Sequence, residues 1–167
     1  MENQESLFEK LCPCGCFNSF KNQETDFIKE YNNWFLILNH EQGFLGRCIL
    51  ILKSHQTDEM DITDEEAQEQ HAIYRLWRAA IAKSFNPDKI NQAQLGNEEH
   101  VHKGHLHWHF VPRYRRPIHF AGIEFQNDTP ETQKFIWTVI HERVVYPIEA
   151  REKIKKELLK HLQAKAL

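Results

Sequence analysis

Short apolar runs and one long amphipathic stretch divide the chain. Trp34-Phe35-Leu36-Ile37-Leu38 lies between polar neighbours and predicts a buried strand. Residues 39–46 contain two glycines and read as a turn, and Cys48-Ile49-Leu50-Ile51-Leu52 is the expected hairpin partner. Thr63-Asp64-Glu65-Glu66 has the form of a capping box, with Thr63 as N-cap and Glu66 three residues on. Behind it, Ile73, Leu76, Trp77, Ala80 and Ile81 recur at spacings of three and four, which is one face of a helix. Asn86-Pro87 ends that helix, because a residue before proline disfavours the helical region.

Residues 89–95 and 105–111 read as two further strands, the second closed by Pro112. Residues 1–30 are polar and poorly periodic, an N-terminal arm with a short helix expected around 19–30. Within 112–147 the stretch 135–145 alternates imperfectly and fits strand and helix equally. Pro147 stands where the first turn of a last helix would begin, with Ile154, Leu158 and Leu162 as its apolar stripe. Glu149/Lys153 and Glu152/Lys156 pair on its exposed side. The order β-β-α-β-β-α predicts an α+β fold, an antiparallel sheet with helices on one face.

At 167 residues the chain suits one core. Its net charge of −3 removes the broad basic surface of a nucleic-acid duplex binder, which needs a Lys or Arg for each phosphate it neutralises. No apolar run spans a bilayer, and residues 1–11 carry Glu2, Glu5 and Glu9 rather than a secretory leader. A cytoplasmic protein without a membrane partner is expected, its four cysteines reduced. The one compositional oddity is 11 histidines, five of them between His100 and His109.

Side chains alternate across a strand, so His105, His107 and His109 would share one face while Leu106, Trp108 and Phe110 turn toward the helices. Imidazole is a nucleophile near neutral pH, and a neighbouring imidazole can donate to phosphoryl oxygen. Three readings compete: histidines that merely pack, a metal site, since His-X-His on a strand is a common zinc arrangement, and nucleophilic catalysis on phosphorus. No nearby carboxylate or cysteine completes a metal set in the local sequence.

His105-Leu106-His107-Trp108-His109-Phe110-Val111, followed by Pro112-Arg113, resembles the histidine-triad pattern, in which histidines alternate with apolar residues. The resemblance extends over residues 31–125. It takes in Leu45-Gly46-Arg47 through Ser54-His55, then Asp61 through Glu66, and Lys89-Ile90-Asn91 through Leu95-Gly96-Asn97. It implies a catalytic core at 31–125 with a C-terminal extension at 126–167, a five-stranded antiparallel sheet with two main helices, and a homodimer. It also implies a nucleotide hydrolase acting at an α-phosphate, on dinucleoside polyphosphates or nucleoside phosphoramidates, with adenine the favoured base.

On that resemblance His107 attacks phosphorus, the His105 carbonyl orients it, and His109 contacts the phosphate or the departing group. Asn39 falls where members hold the ribose, Gln94 where an amide contacts phosphate, and His102 where a Ser or Thr is usual. Arg47 replaces a common histidine and is a further phosphate contact. Some members bind zinc through Cys-X-X-Cys with two histidines. Here Cys12-Pro13-Cys14-Gly15-Cys16 departs from that spacing. A site with His55 or His105 is conceivable, but plain thiols are the favoured reading, no residue is assigned to metal, and no cofactor is required for the chemistry. A non-catalytic nucleotide-binding or zinc-binding protein using the same strand is the alternative.

Overall fold

Thr63 starts the long helix as its sequence implies. In the computed structural model its hydroxyl accepts from the Glu66 N–H while the Glu66 carboxylate accepts from the Thr63 N–H. The structure describes residue 16 and residues 26–95, 104–125 and 145–162. Helix α1, Asp64–Phe85, ends on Asn86, whose φ of 48° is the left-handed turn that asparagine tolerates. Of the residues spaced at three and four, Ile73, Trp77, Ala80 and Ile81 are buried and Leu76 is partly buried against them.

That face packs on a five-stranded antiparallel sheet of order β1-β2-β3-β5-β4. The strands are β1 Phe27–Glu30, β2 Trp34–Leu38, β3 Cys48–Leu52, β4 Lys89–Gln94 and β5 His107–Arg113. Trp34, Leu36, Leu38, Cys48, Leu50, Leu52, Trp108 and Phe110 supply the sheet's side of the core, with Leu106 just before β5. Gly46 lets α1 close on the β2–β3 turn: its φ is +83°, and a Cβ there would meet the Ile81 Cδ1 at 2.3 Å. Helix α2, Ile148–His161, lies against α1 and buries Ile154 and Leu158, with Leu162 just beyond its end. Arg151 of α2 pairs with Asp26, and burial, against the pull of Arg151, holds that carboxyl up at about 6.

Two expectations are corrected and one unassigned stretch is filled. Residues 27–30 are strand β1 rather than helix, so the sheet begins inside the stretch read as an arm. The run is only four residues and its register on β2 slips between Phe27 and Lys29, so no clean alternation marks it. Pro112 lies within β5, opposite Ile90, instead of ending it. The β3 pairing stops at Phe110, so the side of Pro112 that lacks an N–H faces no β3 residue. Residues 118–125, unassigned in sequence, form a hairpin of β6 Ile118–Phe120 and β7 Ile123–Phe125. Its turn is Ala121-Gly122, both with positive φ, as a two-residue hairpin loop requires. The ambiguous stretch at 135–145 lies outside the described residues but for Val145, which bridges to Glu41.

Candidate functional site

Strand β5 sits between β3 and β4, and its pleat sorts the motif. Trp108 and Phe110 are buried in the helix-side core, while His107 and His109 are half-buried on the other face. Their rings meet edge to face with centroids 5.0 Å apart. Across the ladder His107 stands opposite Ile51 and His109 opposite Ile49. Those isoleucines stand opposite Phe35 and Ile37, so apolar side chains of the neighbouring strands share the face of the two rings.

Nδ1 of His107 lies 2.9 Å from the backbone oxygen of His105. A carbonyl only accepts, so the His107 proton sits on Nδ1 and Nε2 carries the lone pair. His105 itself precedes β5 and is 3% exposed. Its Nε2 lies 2.6 Å from the Leu52 carbonyl, which places the proton on Nε2 and the lone pair on Nδ1. The ring therefore serves a different neighbourhood from the other two.

That neighbourhood contains His55 and Cys16. The Nδ1 atoms of His55 and His105 are 3.1 Å apart, and Cys16 Sγ is 3.4 Å from His55 Nδ1. All three donor atoms lie within 4.8 Å of one another. A tetrahedral zinc with ordinary bond lengths would set its nitrogens about 3.3 Å apart and nitrogen to sulfur about 3.6 Å apart. The His55–His105 and Cys16–His55 spacings come close to those values, and a zinc-like ion there would take a fourth ligand besides these three. The Leu52 carbonyl supplies the outer hydrogen bond that orients a ligating imidazole. Sequence reasoning left His55 outside the site and assigned no metal ligand. The three donors are 39 and 50 residues apart; a site joining the N-terminal cysteines to His55 or His105 is conceivable from sequence, but plain thiols are the favoured reading there.

The turn after β2 brings in the remaining polar groups. Asn39 is 4% exposed, its N–H donating to the Arg47 carbonyl and its Oδ1 accepting from the Glu41 N–H. Gln42 clips the turn, donating to the Arg47 carbonyl and accepting from the Gly46 N–H, both at 2.8 Å. Arg47 is thereby held with Nη2 3.4 Å from Nδ1 of His109 and Nη1 3.8 Å from the Glu41 carboxylate. Of the sequence-predicted residues, His107, His109 and Arg47 are brought together, Asn39 joins them through Arg47, and His105 joins through its backbone carbonyl while its ring faces His55 and Cys16. Gln94 is not: it pairs with Trp108, so its side chain leaves the sheet on the face opposite His107 and His109. His102 lies outside the described residues.

Neither a protein-family model nor a curated protein matches the sequence. Solved structures do. A hypothetical histidine triad nucleotide-binding protein from Sulfolobus tokodaii superposes with a TM-score of 0.61 at 18% identity, over 89% of this chain and 91% of its own. A diadenosine triphosphate hydrolase from Plasmodium falciparum gives 0.57 at 13% identity, over 84% and 78%. A zinc-bound histidine triad family protein from Mycobacterium smegmatis gives 0.52 at 19% identity, over 88% and 93%. No helix among the described residues is long and apolar enough to cross a membrane. With its sheet order, its paired helices and its alternating histidines, the chain has the histidine-triad fold.

Proposed function

We propose that the protein is a histidine-triad nucleotide hydrolase that cleaves at a nucleoside α-phosphate through a nucleotidyl-histidine intermediate. The observation that supports this reading is the 2.9 Å contact of His107 Nδ1 with the His105 carbonyl, which places the lone pair that a nucleophile needs on Nε2. Nε2 attacks phosphorus, a phosphorus–nitrogen bond forms, and the bond to the leaving group breaks with its electron pair going to that group. The group departs as a phosphate anion or, from a phosphoramidate, as an amine that takes a proton from solvent. Water then attacks phosphorus, the pair of the phosphorus–nitrogen bond returns to Nε2, and the surplus proton of the water passes to solvent. His109, with its ring beside His107, donates a hydrogen bond to oxygen where charge develops.

Adenine dinucleotides and adenosine phosphoramidate are the substrate classes to try first, since one structural neighbour is a diadenosine triphosphate hydrolase. Asn39, on the turn that holds Arg47, would meet the ribose through its amide. Incubating the protein with diadenosine polyphosphates and adenosine phosphoramidate tests the reading. Cleavage by the parent and a loss on the order of 10³-fold or more in His107→Asn are expected. A parent that cleaves neither class overturns it. β4 is an edge of the sheet, and pairing of two such edges would make the homodimer, a mass that sedimentation would read directly.

A second reading concerns Cys16, His55 and His105, which we propose hold a zinc-like ion in a structural role. The donor spacing supports it, as does the zinc-bound neighbour of the same fold. When bound, the ion would supply cross-linking of the segment at Cys16 to the loop after β3 and to the start of β5. Elemental analysis of parent protein and of His55→Asn checks this: near-stoichiometric metal in the first and its loss in the second are expected.

A further inference from the structure

Arg47 stands where a phosphate contact was expected, and its guanidinium meets two side chains of the protein itself. Its side chain is 6% exposed and lies between the Glu41 carboxylate and the Nδ1 of His109. We infer that Arg47 is a positioning residue that fixes the tautomer of His109 as Nε2–H, so that adjacent rings of one strand hold opposite chemical roles. The inference rests on the hydrolase reading for its kinetic consequence, but not for its geometry.

A guanidinium has five donors and no acceptor. Nδ1 of His109, 3.4 Å from Nη2, must therefore accept, and the single proton of the neutral ring is left on Nε2. A proton on Nδ1 would face the guanidinium donor to donor. The same reasoning gives His107 the reverse assignment, since its Nδ1 meets a carbonyl. The strand thus presents a lone pair at Nε2 of His107 and a hydrogen at Nε2 of His109, on rings whose centroids are 5.0 Å apart. One ring can attack phosphorus while the other donates to an oxygen on it. No proton need leave His109, because a donated hydrogen bond suffices to stabilise the developing charge.

Arg47 is well held for this task. Its N–H donates to the Phe44 carbonyl, and its carbonyl accepts from both Asn39 and Gln42. Glu41 then aims the guanidinium from its far side, with 3.8 Å between Nη1 and the carboxylate. Arg47 therefore acts from the β2–β3 turn by orienting a ring of the triad.

Long-range proton–nitrogen correlation spectra of the imidazoles test this, with His109→Gln serving to assign the His109 signals. The parent should show His109 as Nε2–H and His107 as Nδ1–H. In Arg47→Met the His109 pattern should become a mixture of tautomers while His107 stays unchanged, and Arg47→Lys, which keeps a donor, should restore it. On a cleaved nucleotide, Arg47→Met should lower kcat about 10²-fold with KM changed less than threefold. An unaltered His109 tautomer in Arg47→Met overturns the inference, as does a raised KM with kcat intact, the signature of a phosphate-binding arginine. Should Arg47→Met fail to fold, Glu41→Gln takes its place in both measurements with the same directions and a smaller effect. The spectra need no substrate, so a protein inactive on every nucleotide would refute the hydrolase and still leave the tautomer assignment to be upheld or refuted.

Discussion

His105 and His107 stand two residues apart and are tied to backbone carbonyls through opposite ring nitrogens. His107 gives its Nδ1–H to His105 and keeps a lone pair on Nε2, on the half-buried face of the sheet. His105 gives its Nε2–H to Leu52 and keeps a lone pair on Nδ1, aimed at His55 and Cys16. Identical side chains thus offer their lone pairs to two different neighbourhoods, and what separates them is which nitrogen the main chain occupies. The lesson is that an imidazole's role is set by its hydrogen-bonded nitrogen as much as by its place in a motif.

Exchanging the two losses gives the largest expected effects. His107→Asn should abolish turnover, by 10³-fold or more on the order-of-magnitude scale for a lost nucleophile, while bound metal and melting temperature stay near those of the parent. His105→Asn should do the reverse in kind: it empties the metal site, while the backbone carbonyl that orients His107 survives the substitution. Its rate should fall only about 10- to 100-fold, as for outer groups that tune a site. Parallel assays of rate, metal content and thermal melting decide the matter. If His107→Asn also lost its metal, the two rings would form one site and the division would collapse.

The sequence carried most of the sheet and little of this division. The runs at 34–38 and 48–52 and the helix from Thr63 to Asn86 were legible because each has its period and its stop signals within a few residues. So was the alternation that sets Trp108 against His107 and His109, since a pleat has a fixed period of two. What was not legible depends on register and on distance along the chain. Gln94 could be counted back from the triad, but its facing follows from its pairing with Trp108, which no local pattern states. Glu41, Arg47 and His109 meet through a turn, and Cys16, His55 and His105 through segments far apart in sequence. The Cys-X-Cys-X-Cys spacing pointed away from a metal site, yet Cys16 reaches the histidines.

A milder perturbation separates the two neighbourhoods from one side. Ser54, next to His55, donates to Glu66 at 2.8 Å, and Glu66 also accepts from the Thr63 N–H and hydroxyl. The first turn of α1 therefore anchors the loop that carries His55 and has no part in holding His107. Glu66→Gln should cost about 1 kcal/mol in stability, the usual scale for a lost cap, and weaken metal retention while leaving kcat within a few-fold. Denaturant unfolding with and without added zinc, beside a turnover assay, checks both halves. A large fall in kcat with metal retained would show that the loop serves the triad instead.

Acid offers the smallest and most local version of the same test. Burial alone would raise the Glu66 carboxyl, but the bonds from the Thr63 N–H, the Ser54 hydroxyl and the Thr63 hydroxyl outweigh it and hold the group below its ordinary 4.5. A depressed folded value means that the unfolded chain takes up protons first as pH falls. The stabilisation is complete above 4.5 and drains away as pH drops through the lower folded value. The parent's melting temperature should therefore fall more steeply than that of Glu66→Gln on acidification below that point. Both proteins are to be melted in chelator, so that proton competition for metal ligands does not enter. Parallel acid slopes would mean that Glu66 does not hold the loop through its ionised form, and the tie between helix cap and His55 would lose its electrostatic basis.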